Sequence, residues 1–242
     1  MKIRLVLSAL LFAAISASAF AQQTPGNPQE VLQQIARLND TVKGFRAVME
    51  VHDRQGKEER VATSTITVSR EYGWKVEDNS TTSGHVVIND FKTSFEYYPR
   101  EKKAYKMTAD LPELIEGFRK PAAEMNSLAI LDPKTLKLVG QETFEDEPVY
   151  HVEGTTTTQF MMGGKPVTRK VEARVSRRDG LPRKTVEYTE FTVGTTVYRD
   201  LELNPSLKAE DFAFTPPKGV EVIDLNAEMR KQQQNQGKSR RR

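Results

Sequence analysis

Alternation of apolar and polar residues with a period of two most constrains the fold of this 242-residue chain. From residue 45 the apolar side chains fall on alternate positions, beginning with Phe45, Ala47, Met49 and Val51. Because successive side chains of a strand point to opposite faces, this period predicts strands with one apolar face. Similar short runs recur between turn signals such as Asp179-Gly180, which indicates about six strands in each half of the chain.

Two segments have helical spacing instead. Asn27 and Pro28 suit the start of a helix, and an apolar stripe follows at Val31, Ile35, Leu38 and Val42. Residues 109–131 carry two shorter stripes, separated by Pro121. A helix with one apolar face must bury it, and a long antiparallel sheet curls and needs a cover. We therefore expect a curved antiparallel sheet with a helical plug or lid, which either packs solid or encloses an apolar pocket.

The first 21 residues are typical of a cleavable secretory signal peptide. Lys2 and Arg4 precede an apolar run at residues 5–15, and Ala19-Phe20-Ala21 offers a cleavage site with small residues. The run is shorter than the about 20 residues that a membrane span needs, and no later segment is apolar for long enough. We expect export of a soluble protein with one domain at residues 22–228 and a disordered basic tail at 229–242.

The charges of the chain are unevenly placed. The formal net charge is +3, but residues 229–242 alone carry six cations: Arg230, Lys231, Lys238, Arg240, Arg241 and Arg242. The preceding domain therefore has an excess of acidic side chains, and we expect no nucleic-acid-binding face. The chain has no cysteine, which excludes thiolate metal sites, cysteine nucleophiles and a lipid-anchoring cysteine.

No group of residues in the sequence indicates catalysis. His52, His85 and His151 lie in separate predicted strands and lack metal-ligand spacing. Gly163-Gly164-Lys165 joins two strands and is interpreted as a turn, because a phosphate loop must open a helix. The carboxylates at residues 142–147 are interpreted as a solvated turn. We expect no enzymatic activity, no metal and no cofactor.

Three stretches resemble the LolA family, the periplasmic carriers of outer-membrane lipoproteins. Residues 212–222, FAFTPPKGVEV, are similar to the C-terminal FxFxPPxGVxV of the family. Residues 87–99 resemble its V-S-D-G-K-T-L-W-x-Y-x-P hairpin, with Phe91 at the usual glycine. Residues 70–74, REYGW, resemble its R-P-x-x-F, with Glu71 at the proline. The signal peptide and the helical segments also fall where the family places them.

The resemblance implies an α+β, mainly β fold: a curved antiparallel half-barrel closed by a helical lid, with a cavity for acyl chains. In family members the arginine matching Arg70 bonds to the lid backbone, and the aromatic residue matching Trp74 lines the cavity mouth. Alternatives are a surface cation for Arg70 and ordinary packing for Trp74, Phe95 and Tyr97. The candidate residues of the cavity and lid are Arg70, Trp74, Val76, Phe95, Tyr97, Leu114, Ile115, Phe118, Met125 and Leu128.

The function that the resemblance implies is lipoprotein transport in outer membrane biogenesis. A monomeric periplasmic chaperone of the Gram-negative envelope would take acylated lipoproteins from an inner-membrane ABC transporter (LolCDE-like) to an outer-membrane acceptor. Two alternatives stay open. One is a LolA-like carrier of another lipid or hydrophobic ligand, suggested by the departures at Glu71 and Phe91. The other is an envelope stress sensor similar to RseB, whose second domain has little room here.

Overall fold

The computed structural model describes residues 27–79, 84–110, 118–119, 131–158 and 166–231. These residues form one twelve-stranded sheet with helix α1 (Pro28–Asp40), a short 3₁₀ helix (Ala209–Phe212) and helix α2 (225–231). The strands are β1 (Gly44–Gln55), β2 (Glu58–Ser69), β3 (Gly73–Asp78), β4 (Val86–Asn89), β5 (Thr93–Tyr98), β6 (Lys103–Thr108), β7 (Lys137–Phe144), β8 (Glu147–Thr158), β9 (Val167–Ser176), β10 (Pro182–Tyr188), β11 (Val193–Leu203) and β12 (Glu221–Asp224). The mainly β prediction is confirmed.

The sheet consists of two antiparallel meanders side by side. Its strand order is β12-β6-β5-β4-β3-β2-β1-β11-β10-β9-β8-β7. We call β1–β6 the first meander and β7–β11 the second meander; they meet where β1 pairs with β11. The edge strand β12, predicted at residues 220–225, runs parallel to β6, with Glu221 opposite Lys103. As far as the described ranges go, the sheet is open at both edges and antiparallel in every other pair.

The register assigns each side chain to a face, because opposed residues of antiparallel strands share one face. In the first meander Phe45 opposes Val68, which opposes Trp74. The face continues into the second meander through the opposed residues Val51, Thr196, Thr185, Ala173 and Val152. Helix α1 packs on this side, so we call it the helix-bearing face.

Helix α1 begins where its cap predicts and ends at Asp40, before Val42 of the predicted stripe. The Asn27 side chain accepts a hydrogen bond from the backbone N–H of Gln29 at 3.1 Å. Ile35 is fully buried in a core cluster with strands β8 and β9. The helix contacts the β9–β10 turn so closely that a Cβ at Gly180 would lie 2.5 Å from the Ile35 carbonyl oxygen. Gly180 has φ +72°, a left-handed conformation that favours glycine, which confirms the predicted Asp179-Gly180 turn.

Helix α2 extends past residue 229, the predicted start of the basic tail. Residues 229–231, assigned to a disordered tail, belong to α2. The Asn226 side-chain amide binds this helix to the end of β6. It accepts a hydrogen bond from the backbone N–H of Thr108 at 2.8 Å and donates one to the Thr108 carbonyl at 2.9 Å. Arg230 lies 3.4 Å from Asp110. These tertiary contacts carry the helix past the predicted boundary, and residues 232–242 lie outside the described residues.

Several other predictions fall on residues that the structure does not describe. The signal peptide at residues 1–21 is one of them. Most residues of the predicted mid-chain helices also lie outside the described ranges. Residues 118 and 119 are described, and they are helical. Within the described ranges, no helix is long and apolar enough to cross a membrane.

Candidate ligand-binding face

Half-buried apolar side chains cross the first meander on the helix-bearing face. Ile66 of β2 opposes Val76 of β3, and Val76 opposes Val87 of β4. We call these three residues the apolar row. Each is only partly buried, whereas Ala47, which opposes Ile66 on β1, is 1% exposed. The row is therefore apolar surface that a ligand can cover.

Trp74 connects this face to the mid-chain segment. It packs against the core cluster that contains Phe45, Val68 and Phe91. Its indole Nε1 donates a hydrogen bond to the backbone carbonyl of Phe118 at 2.9 Å, and Phe118 is 9% exposed. A tryptophan at the edge of an apolar surface needs an acceptor for its N–H, and here the acceptor comes from the predicted lid. The structure thus brings Trp74 and Phe118 into contact. Val76 lies two residues further along β3, on the same face.

Phe91 stands where the family hairpin usually has a glycine, and the structure shows how this turn accommodates it. It has φ +67°, a conformation that favours glycine, yet its side chain is buried in the same cluster as Trp74. The turn is held by Asn89, whose Oδ1 accepts from Phe91 N at 2.8 Å, and by Asp90, whose Oδ1 accepts from Thr93 N at 2.6 Å. The guanidinium of Arg119 lies over the Phe91 ring, 5.8 Å from its centre. Burial and turn bonds therefore compensate for the strained backbone.

Arg70 is bonded to helix α1. Its Nη2 donates to the carbonyl oxygen of Asn39 at 2.9 Å and to the Oδ1 of Asn39 at 2.6 Å, and its Nη1 lies 3.8 Å from Asp40. A cation at the C-terminal end of a helix is favourable, because the last carbonyl groups there are partly negative. The resemblance implied a bond to the lid backbone, but the described partners of Arg70 belong to α1. Arg70 also lines a cavity of about 430 Å³ together with Tyr72 and Leu207.

Phe95 and Tyr97 lie on the opposite face of the sheet from the apolar row. Val87 opposes Glu96, so the residues on either side of Glu96 point the other way. There the ring of Phe214 packs 5.1 Å from Phe95 and 5.3 Å from Tyr97, measured between ring centres. Phe214 belongs to the C-terminal motif, which covers this side. The two aromatic residues are therefore packing residues and do not share a face with Trp74 and Val76.

The remaining candidates, Leu114, Ile115, Met125 and Leu128, lie outside the described residues. The proposed cavity and lid are thus represented by Trp74, Val76 and Phe118 on the helix-bearing face, with Arg70 at the end of α1. Spacing alone could place Trp74 and Val76 together, because they are two residues apart on one strand.

Sequence analysis missed a polar cluster at the end of the apolar row. Glu96 follows Val87 in the register and opposes Tyr105. Its Oε1 accepts from the Tyr98 hydroxyl at 2.5 Å and lies 3.1 Å from His85 Nε2. The His85 ring stacks on Tyr98 at 4.4 Å between centres, and Tyr105 meets Tyr98 edge-on at 5.9 Å. The bond to the Glu96 carboxylate raises the pKa of Tyr98 to about 12.

Comparisons with known proteins give the fold. No family model and no curated protein sequence matches the chain. An uncharacterised conserved protein from Thermus thermophilus is 13% identical over 81% of this chain and 98% of that chain, with a TM-score of 0.54. A LolA superfamily protein from Nitrosomonas europaea is 12% identical over 78% and 99% of the two chains, at 0.42. The Pseudomonas aeruginosa MucA/MucB complex matches at 14% identity over 77% and 60%, at 0.46. The match to the Thermus thermophilus protein shows that this chain shares the fold of that protein. A LolA superfamily protein is also among the structural neighbours.

Proposed function

We propose that the chain is a LolA-like periplasmic carrier that holds the acyl chains of lipoproteins and moves them from the inner to the outer membrane. The apolar row of Ile66, Val76 and Val87, half-buried on the helix-bearing face, is the observation that carries the proposal. Covering apolar surface from water gains about 0.8 kcal/mol for each methylene of the ligand. An acyl chain on this row is therefore held by burial alone.

In this proposal the sheet, α1 and the mid-chain segment act as a half-barrel with a lid, and Trp74 holds the lid. A carrier must release its ligand, so the closed and open states should differ by only a few kcal/mol. The bond from Trp74 to the Phe118 carbonyl is a single neutral hydrogen bond, with a net contribution of about 1 kcal/mol. A lid held in this way closes over a ligand and still opens.

The proposed carrier is not an enzyme, because moving a ligand requires binding and release and no covalent step. Its proposed partners are the acylated lipoprotein, an inner-membrane ABC transporter similar to LolCDE and an outer-membrane acceptor. The predicted signal peptide supports a periplasmic location, where a monomer passes between the two membranes.

A matched pair of substitutions tests the proposed face. Val76→Asp places a carboxylate in the apolar row, and we expect the affinity for a fluorescent acyl probe to fall about tenfold or more, because an unpaired charge is costly beside apolar groups. Val61→Asp is the control, because Val61 opposes His52 on the other face and is 58% exposed. Equal affinities of the two variants, or a wild-type chain that never binds the probe, would contradict the proposal.

A second candidate is a carrier of a different lipid. Phe91 favours it, since a buried phenylalanine occupies the position of the usual family glycine beside Trp74 and changes the edge of the face. Depletion of the protein in cells separates the two candidates. Accumulation of lipoproteins at the inner membrane supports the lipoprotein carrier. If the purified protein binds the acyl probe but depleted cells sort lipoproteins normally, the result favours another lipid.

A further inference from the structure

We propose that His85, Glu96, Tyr98 and Tyr105, which we call the polar cluster, bind the primary ammonium group of an amphiphile whose tail lies on the apolar row. This inference rests on the proposed carrier function and specifies the chemistry of its ligand. It assigns the cluster a role in selecting the head group, while the row holds the tail.

The register places head and tail sites in one line. Ile66, Val76, Val87 and Glu96 oppose one another on four successive strands. Neighbouring strands are about 4.8 Å apart, so Glu96 lies roughly 14 Å from Ile66 across the sheet. This span is comparable to an extended alkyl tail of about twelve carbons. A tail that covers the row therefore ends beside the carboxylate of Glu96.

The groups at that end are suited to an ammonium ion. Among the described residues, the contacts of Glu96 with Tyr98 and His85 both go to Oε1, which leaves Oε2 to accept from a ligand. The Glu96 side chain is 44% exposed, so a ligand can reach it. Tyr105 lies directly opposite Glu96, and its ring offers a cation–π surface to the same ion.

The surrounding charges also favour a cation. Asp78 adds a second carboxylate on this face, as its register partner Ser64 lies there too. Within the described strands β3–β6, the cationic side chain on this face is Lys103, which opposes Tyr98. With histidine counted as neutral, the helix-bearing side of strands β3–β6 therefore carries two carboxylates and one ammonium group. The carboxylate of Glu96 would repel an anionic head group such as a sulfate.

The test uses three amphiphiles with the same twelve-carbon tail, each displacing a fluorescent acyl probe from the purified chain. We expect dodecylammonium to bind about tenfold more tightly than dodecanol, because a charge-assisted hydrogen bond replaces a neutral one, and dodecyl sulfate to bind most weakly. Glu96→Gln should make dodecylammonium and dodecanol equal. Glu77→Gln is the matched control: Glu77 of β3 is 42% exposed but points to the other face, where it pairs with Lys75 at 2.9 Å.

The outcomes separate this proposal from the carrier function. Equal binding of all three amphiphiles to the wild-type chain, or an ammonium preference that survives Glu96→Gln, overturns the head-group site and leaves the carrier intact. Binding of none overturns both. A second variant, Tyr105→Leu, should reduce the ammonium preference while it leaves dodecanol unaffected. Glu96-dependent binding of an ethanolamine phospholipid, or of an acylated peptide with a free amino terminus, supports the proposal and identifies the source of the amine.

Discussion

The two meanders use the same alternation of residues but fill their helix-bearing faces differently. In the second meander Val152 and Val175 are fully buried, and Ile35 of α1 packs against them with no exposed surface. In the first meander Ile66 and Val76 occupy equivalent inward positions and remain half-buried. Alternation therefore specifies which face is apolar, and it does not specify what covers that face. Among the described residues, α1 covers the second meander, whereas Ile66 and Val76 of the first meander keep partly exposed surface for the proposed ligand.

The polar groups of the two meanders differ in the same way. In the second meander, Arg183 is 8% exposed and bonds to Glu147 at 2.7 Å and to Asp179 at 2.6 Å. Every one of these contacts lies within the chain, so the group acts as a structural clamp. In the first meander Glu96 is 44% exposed and has a carboxylate oxygen to offer. One polar group completes the fold, and the other is available for a ligand.

The largest expected effect concerns the clamp. Arg183→Leu leaves the buried carboxylate of Asp179 without its cation and leaves Glu147 with the exposed Arg178, and we expect a loss of about 3–5 kcal/mol in the free energy of unfolding. Arg178→Leu is the control, because Arg178 lies 3.3 Å from the same Glu147 but is 74% exposed, and its loss should stay below about 1 kcal/mol. Urea denaturation measures both. Similar losses for the two variants would mean that the buried Arg183 stabilises the fold no more than the exposed Arg178 does.

Two identical substitutions compare the meanders directly. Ile35→Ala removes a fully buried side chain, and we expect it to cost about 2–5 kcal/mol through lost burial and a cavity. Ile66→Ala removes a half-buried one and should cost about half as much or less. Binding of the acyl probe should weaken in Ile66→Ala alone. If Ile66→Ala is as destabilising as Ile35→Ala and the probe binds normally, the first meander is an ordinary core.

A smaller effect is expected at the contact between Trp74 and the mid-chain segment. Trp74→Phe keeps an aromatic ring and removes the N–H that donates to Phe118, which should cost about 1 kcal/mol. Hydrogen exchange at residues 118 and 119 should then become about fivefold faster. Tyr150→Phe, which removes a hydroxyl that reaches Gln34 of α1 at 3.4 Å, should leave that exchange unchanged. Unchanged exchange in Trp74→Phe would exclude it as the residue that holds the lid.

Much of the fold follows from local signals in the sequence. The alternation predicts the strands, Asn27 and Pro28 predict the start of α1, and Gly180 predicts a turn, because each signal acts within a few residues. The shared face of Trp74 and Val76 also follows from their spacing. The twelve-stranded sheet is therefore largely predictable element by element.

The candidate site is less predictable, because distant parts of the chain decide it. Which face Phe95 and Tyr97 occupy depends on the strand register, and the partner that covers them, Phe214, is more than a hundred residues away. The polar cluster forms only when β4, β5 and β6 align. Arg70 likewise finds its partner on α1, in a segment that its own motif does not include.

The smallest expected effect is a dependence of stability on pH that belongs to the clamp. Burial opposes ionisation of Glu147, but bonds from Arg183 and Ser176 outweigh it and hold the pKa of this carboxyl below its ordinary value. Its contribution to stability is therefore fully present above a pH of about 4.5 and is lost as the pH falls through the lowered pKa of the folded state. We expect the thermal midpoint to fall in acid, and to fall less in Glu147→Gln, which is already less stable at neutral pH. A remaining slope is expected from Glu172, whose pKa is also lowered, because bonds from Lys170 and Arg174 outweigh its burial. Parallel curves for the wild-type chain and Glu147→Gln would show that the clamp is not the acid-sensitive part of the second meander.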